Sequence, residues 1–236
     1  MTDFSERIDA ATAAAWILGH ARRTGVPALP EALGRKTADE CGAEELDKIV
    51  GAASEAGLKL YPFKTGTRVL PRIRRTLGFL HSVPFGTLLD VGSGRGVFLI
   101  PFMKEFPSVR VTALDLMEKR VDFLNELADG GFGQLRAVKG DICGRPWPDE
   151  SFDVVTMLEV LEHIPEAGKA IASAVRMARR YVVVTVPSKP DSNPEHIHLL
   201  TKDLLTEMFA AAGCERLHFD GVEGHLFLVA TVGDCP

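Results

Sequence analysis

Positive charge is in short supply in this sequence: 27 Lys and Arg face 32 Asp and Glu, a net charge of −5. The deficit is concentrated. Residues 1–84 carry 12 basic against 10 acidic side chains, whereas residues 85–236 carry 15 against 22. So acidic a body argues against extended, sequence-independent binding to nucleic acid, whose affinity comes from neutralising phosphates. Cysteine is sparse as well. Cys41, Cys143, Cys214 and Cys235 make no CxxC pair and no metal-site spacing, which argues against a zinc ribbon or a disulfide framework and predicts reduced thiols. Long apolar runs are also missing. The longest early one, 10–18, is only nine residues and follows acidic rather than basic residues, so neither a secretory leader nor a membrane span is expected, and the expected location is the cytoplasm. There is no low-complexity tract and no internal repeat.

What is present is the composition of an ordinary globular protein. Its 236 residues suffice for one α/β domain of roughly 150 residues and a smaller appendage. We place the appendage at 1–84, as a helical segment that shapes an acceptor site, and the main domain at 85–236. An Ala-rich pattern over 5–24 closes on Gly25, which predicts a helix with a glycine stop, and a second helix is expected over 43–56 before Gly57. Over 68–80, Val69, Ile73, Leu77 and Leu80 share one helical face. The opposite side, with Arg72, Arg74 and Arg75, reads as solvated.

Beyond Pro84 the period changes. Short apolar runs at 87–91, 111–115, 135–139, 152–158 and 181–187 alternate with helical patterns at 97–106, 118–127 and 166–180. That alternation predicts a doubly wound α/β sheet, mostly parallel and covered on both faces. After a helix at 201–212, the runs at 215–221 and 224–232 are too close for a crossover helix, so the sheet should end in an antiparallel hairpin.

The run LLDVGSGRG, 88–96, carries the first chemical signal. Gly92, Gly94 and Gly96 follow a buried strand directly, so the backbone can turn tightly and approach a ligand without a Cβ in the way. A glycine-rich turn alone only fits a bend. Here an acid, Asp90, precedes it, and a second, Asp115, ends the next strand, where a carboxylate can accept from both ribose hydroxyls. Asp115 with Glu118 also matches a helix N-cap and its capping-box partner. Asp141 ends the third strand, placed either to accept from an adenine amino group or to close a turn on its own backbone. The spacing is GxGxG with Val97 following, which disfavours a nicotinamide oxidoreductase, while a noncatalytic nucleotide-binding module stays open.

Taken in order, LLDVGSGRG, ALDLMEKRVDFL, VKGDI, PWPDESFDVVTMLEVLEHIP and VVVTVPS resemble the successive motifs of class I S-adenosylmethionine-dependent methyltransferases over about residues 85–232. The resemblance implies a seven-stranded sheet with a reversed final strand and S-adenosyl-L-methionine as cofactor. It implies that Asp90, Gly92, Gly94 and Gly96 surround the methionine part, that Asp115 holds the ribose, that Asp141 and Ile142 flank the adenine, that Glu159 lies near the methyl group, and that Leu116 also binds the cofactor. The acceptor expected is a small molecule, with no membrane partner and no nucleic acid.

A base is needed only if the accepting atom must lose a proton. Glu159, Glu162 and His163 stand at i, i+3 and i+4, one face of a helix, and His196 and His198 follow the fifth strand. Glu159, His163 and His198 are the catalytic candidates. The same set resembles the divalent-metal site of methyltransferases that modify the terminal 2′-hydroxyl of small RNAs, whose further substrate-binding motifs have no counterpart here; no metal is expected. The plainer alternative is that these polar residues only orient a helix and a loop.

Overall fold

A computed structural model gives the fold and describes residues 9–60, 63, 70–190 and 192–233. The expected helix start at 5–8, Arg68, Val69 and Cys235 fall outside the described residues. In chain order the elements are α1 (Ala10–Thr24), α2 (Glu31–Gly34), α3 (Ala43–Glu55), α4 (Pro71–His81), β1 (Thr87–Val91), α5 (Leu99–Glu105), β2 (Arg110–Asp115), α6 (Glu118–Gly130), β3 (Leu135–Lys139), β4 (Phe152–Leu158), α7 (Ala167–Met177), β5 (Ala178–Pro187), α8 (Lys202–Ala211), β6 (Leu217–Val222) and β7 (His225–Thr231). The chain forms two compact units that interleave along the sequence. The first takes the described residues of Met1–Val69 with Gly94–Pro107 and Met117–Ala137, and the second takes Leu70–Ser93, Ser108–Leu116 and Val138–Pro236.

In the first unit α1 lies on α6. Asp9 caps α1 by accepting from the Thr12 amide at 3.2 Å and the Thr12 hydroxyl at 2.7 Å, and Gly25 ends it in the left-handed region at φ 78°. Small residues make the close packing possible. A Cβ built on Gly19 would stand 1.9 Å from the Glu126 carbonyl oxygen, and one on Gly130 would stand 1.6 Å from that of Ala15. Beside this contact the buried Glu126 carboxylate accepts from Trp16 Nε1 at 2.6 Å and meets His20 Nδ1 at 2.8 Å, so its burial is matched by two partners.

The strand order is β3-β2-β1-β4-β5-β7-β6. β1 pairs in parallel with β2 and β4, and β4 with β5, while β7 runs antiparallel to both β5 and β6. This is the seven-stranded, mostly parallel sheet with a reversed final strand that the motifs implied. Its inner strands are the continuous apolar runs: Val154, Val155 and Met157 of β4 and Val182, Val183 and Val184 of β5 are fully buried, as strands covered on both faces must be.

Two local expectations are corrected. The helix expected to reach residue 180 stops at Met177, because Ala178 pairs with Phe152 and Arg179 forms an ion pair with Asp153, which together draw Ala178–Arg180 into β5. The arginine side of α4 is not simply solvated. Arg75 bonds to Asp220 at 2.9 Å and lies 4.8 Å over the Phe227 ring, and Phe79 meets Tyr181 edge-on at 5.3 Å, so this side of α4 packs on the sheet and, of the three arginines, only Arg74 is exposed. Among the described residues no helix is long and apolar enough to cross a membrane.

Candidate active site

The carboxyl ends of β1 and β2 carry the first part of the site. Past Val91 the ladder continues for one step, the Gly92 amide donating to the Leu114 carbonyl at 2.7 Å. Gly92, Gly94 and Gly96 then all take positive φ (68°, 58° and 75°), and a Cβ on Gly92 would come within 2.6 Å of Val160 Cγ2. Glycine is required here by both conformation and space.

Asp90 and Asp115 are both buried, at 3% and 4% exposure. The Thr156 hydroxyl donates to Asp90 Oδ1 at 2.6 Å, and the Ser93 hydroxyl donates to the Asp90 carbonyl at 2.9 Å. Burial pushes the Asp90 carboxyl up to about 7; the Thr156 and Ser93 hydroxyls oppose this and the charge of Asp115 adds to it. A cationic ligand beside Asp90 would favour its ionised form. α6 begins at Glu118 with Met117, not Asp115, at its N-cap position. Asp115 ends β2, where its backbone carbonyl takes the Gly140 amide at 3.1 Å and where a ribose could be held. Next to it Leu116 is 66% exposed, an apolar surface that an adenine ring would cover. Asp141 performs the turn role, accepting from the Cys143 amide at 2.9 Å to open the 3-10 turn Ile142–Gly144. The Ile142 side chain is in the core, at 3% exposure.

These burials set a pH dependence. The folded chain holds a proton on Asp90 up to about pH 7, whereas an unfolded aspartate releases it near the ordinary value of 3.8. Between those limits the native state binds more protons than the unfolded one, so stability falls as pH rises. Urea unfolding of the ligand-free protein should show a higher midpoint at pH 5.5 than at pH 8, and Asp90→Asn should remove on the order of 2 kcal/mol of that difference. An equal pH slope in the variant would contradict the assignment.

The second part follows β4. Glu159, Glu162 and His163 do not share an α-helical face as their spacing suggested. Glu159 sits in the left-handed region at φ 58°, and only a single 3-10 turn, Leu161–His163, follows before Pro165. This turn nevertheless brings Glu162, His163 and His196 together, with one potential ligand atom from each within 4.8 Å of the others. Glu162 is fully buried and neither of its carboxylate oxygens has a hydrogen-bond partner. Burial raises its carboxyl to about 7, with the charge of Glu159 adding and its own amide, His196 and Arg72 opposing. His163 Nδ1 lies 2.9 Å from the Glu195 carbonyl oxygen, which can only accept, so a neutral His163 carries its lone pair on Nε2. His198 lies outside this group: its Nε2 is taken by the Ile164 and Pro165 carbonyls at 3.1 and 3.3 Å.

Two members were not anticipated. His225 Nε2 stands 2.9 Å, and Arg72 Nε 4.0 Å, from Glu159 Oε2. Arg72 was read as part of a solvated face, and His225 as a residue of the final hairpin. Neither has a motif around it.

Comparison with known proteins agrees with this geometry. Residues 89–184 match the family described as "Methyltransferase domain". The chain is 30% identical over 141 residues to a 27-O-demethylrifamycin SV methyltransferase of Amycolatopsis mediterranei, covering 56% of this chain and 52% of the relative. It is also 30% identical over 135 residues to a nocamycin O-methyltransferase of Saccharothrix syringae, covering 56% and 45%. The chain thus spans about half the length of the curated relatives it matches. A solved SAM-dependent methyltransferase from Aquifex aeolicus superposes with a TM-score of 0.58 at 21% identity over 70% of this chain and 91% of that one, a likeness of fold. Motif order, strand order and the match over 89–184 agree: residues 89–184 match a methyltransferase domain, carried on the fold of a solved SAM-dependent methyltransferase.

Proposed function

We propose that the protein transfers the methyl group of S-adenosylmethionine to a hydroxyl oxygen of a small molecule. The observation that carries the reading is the fully buried Glu162 carboxylate with both oxygens unpartnered, beside the Nε2 of His163: a proton acceptor held near neutrality. The relative named nocamycin O-methyltransferase supports it, as does the one named 27-O-demethylrifamycin SV methyltransferase. So does the acidic body, which suits a small acceptor better than a polynucleotide. S-adenosylmethionine supplies an activated methyl on its sulfonium, so the protein's share is placement and removal of one proton. Asp90, Asp115 and Leu116 would hold the cofactor. Glu162 and His163 would receive the proton as the acceptor O–H is replaced by O–CH3.

Labelled S-adenosylmethionine, offered with a panel of phenols, polyketide alcohols and sugars and, separately, with short RNAs, tests this directly. Label is expected on a small hydroxyl compound, and transfer to RNA alone would overturn the reading. The proximity of Glu162, His163 and His196 supports a second reading, in which the three bind a divalent cation that lowers the pKa of the acceptor hydroxyl. Chelation separates the two. Activity that survives exhaustive EDTA supports the metal-free base, and activity lost and restored by Mg²⁺ or Mn²⁺ supports the cation.

A further inference from the structure

Glu159 is held in an unusual way. A non-glycine residue at φ 58° costs about 1 kcal/mol or more, and such strain persists only where surrounding contacts enforce it. Here its amide donates to the Thr185 carbonyl at 2.9 Å, and its Oε2 is gripped from two sides by His225 and Arg72. Its other oxygen, Oε1, is buried and has no hydrogen-bond partner. A carboxylate with one oxygen fixed and the other bare lacks a donor that folding alone does not supply.

The grip itself is built into the fold. His225 opens β7 just after the Glu223–Gly224 turn, opposite Pro187 at the end of β5. Its Nδ1 lies 3.1 Å from the Glu223 carbonyl oxygen, an obligate acceptor, so Nδ1 carries a hydrogen. Its Nε2 faces Glu159 Oε2 at 2.9 Å. Arg72 comes from α4, the helix that packs on this side of the sheet.

We infer that His225 and Arg72 are positioning residues that hold Glu159 so that its Oε1 receives an N–H or O–H of the methyl acceptor other than the hydroxyl that is methylated. The inference rests on the proposed methylation of a small hydroxyl compound and adds a second contact that orients that compound.

The test uses the acceptor found by the panel, together with analogues in which hydrogen replaces, one at a time, each N–H or O–H group other than the reacting hydroxyl. His225→Phe should lower kcat roughly 10-fold or more with the KM for S-adenosylmethionine unchanged, and His225→Gln, which can still donate to Oε2, should recover most of the loss. Glu159→Ala should bind acceptor and the analogue lacking the donor to Oε1 with equal affinity, where the wild type prefers the acceptor. Wild-type kcat in His225→Phe, or equal impairment in His225→Gln, would overturn the role. If the panel yields no acceptor, the proposed function fails by itself, and the grip is still read from ring ¹⁵N signals of His225. The Nε2 signal should move in Glu159→Gln while the Nδ1 signal stays; an Nε2 signal unchanged by that substitution would overturn the inference.

Discussion

Gly130→Ala is expected to destabilise the protein by roughly 3 kcal/mol or more, a drop of about 6–12 °C in the thermal midpoint. The sign is the informative part, since alanine in place of glycine inside a helix ordinarily gains up to about 1 kcal/mol. At Gly130 the added carbon would stand 1.6 Å from the Ala15 carbonyl oxygen, and at Gly19 the corresponding distance is 1.9 Å to that of Glu126. Backbone atoms cannot yield as a side chain can, so α1 and α6 would have to separate and open the bonds of Trp16 and His20 to Glu126. Gly51 of α3 provides the control. Nothing lies within 4 Å of a Cβ there, and Gly51→Ala should leave stability unchanged or raise it. A Gly130→Ala protein that melts with the wild type would refute the close approach of the two helices.

Asp115→Ala should weaken S-adenosylmethionine and its demethylated product together, by about 10³–10⁴-fold in calorimetry. Two ribose hydroxyls donating to one buried carboxylate make two charge-assisted bonds, each contributing about 1.5–3 kcal/mol. The burial of Asp115 at 4% exposure favours the upper part of that range, because few waters compete. Asp141→Ala should cost much less, since one of its oxygens already serves the turn through the Cys143 amide. Unchanged affinity in the Asp115 variant would remove the cofactor reading at its centre.

Most of the sheet was legible because its strands are short continuous apolar runs set between glycine, proline and charged residues, and β1, β3 and β4 begin and end where those runs do. The reversed end followed from the shortness of one loop. What escaped depended on tertiary contacts. The run Ala178–Arg180 has helix-forming composition, yet pairing with β4 and the Arg179–Asp153 contact outweighed it. EVLEHI fits a helix by spacing, and the signal against that was Pro165, which disfavours helical backbone at the residue before it. Gly19 inside an Ala-rich helix was a legible sign of close packing, although nothing local named its partner. Arg72 and His225 could not have been found from their neighbours, because what places them beside Glu159 is the packing of α4 and the reversal of β7.

The pairing of α1 with α6 also bears on how the chain is made. Trp16 and its carboxylate partner are separated by 110 positions, so the first helix leaves the ribosome long before the surface it covers exists. At ordinary rates of synthesis the delay is roughly 5–20 s, during which its apolar side is open to chaperones or to neighbouring nascent chains. Slowing elongation between codons 25 and 130 should therefore lower the yield of folded protein more than the same slowing placed after codon 140.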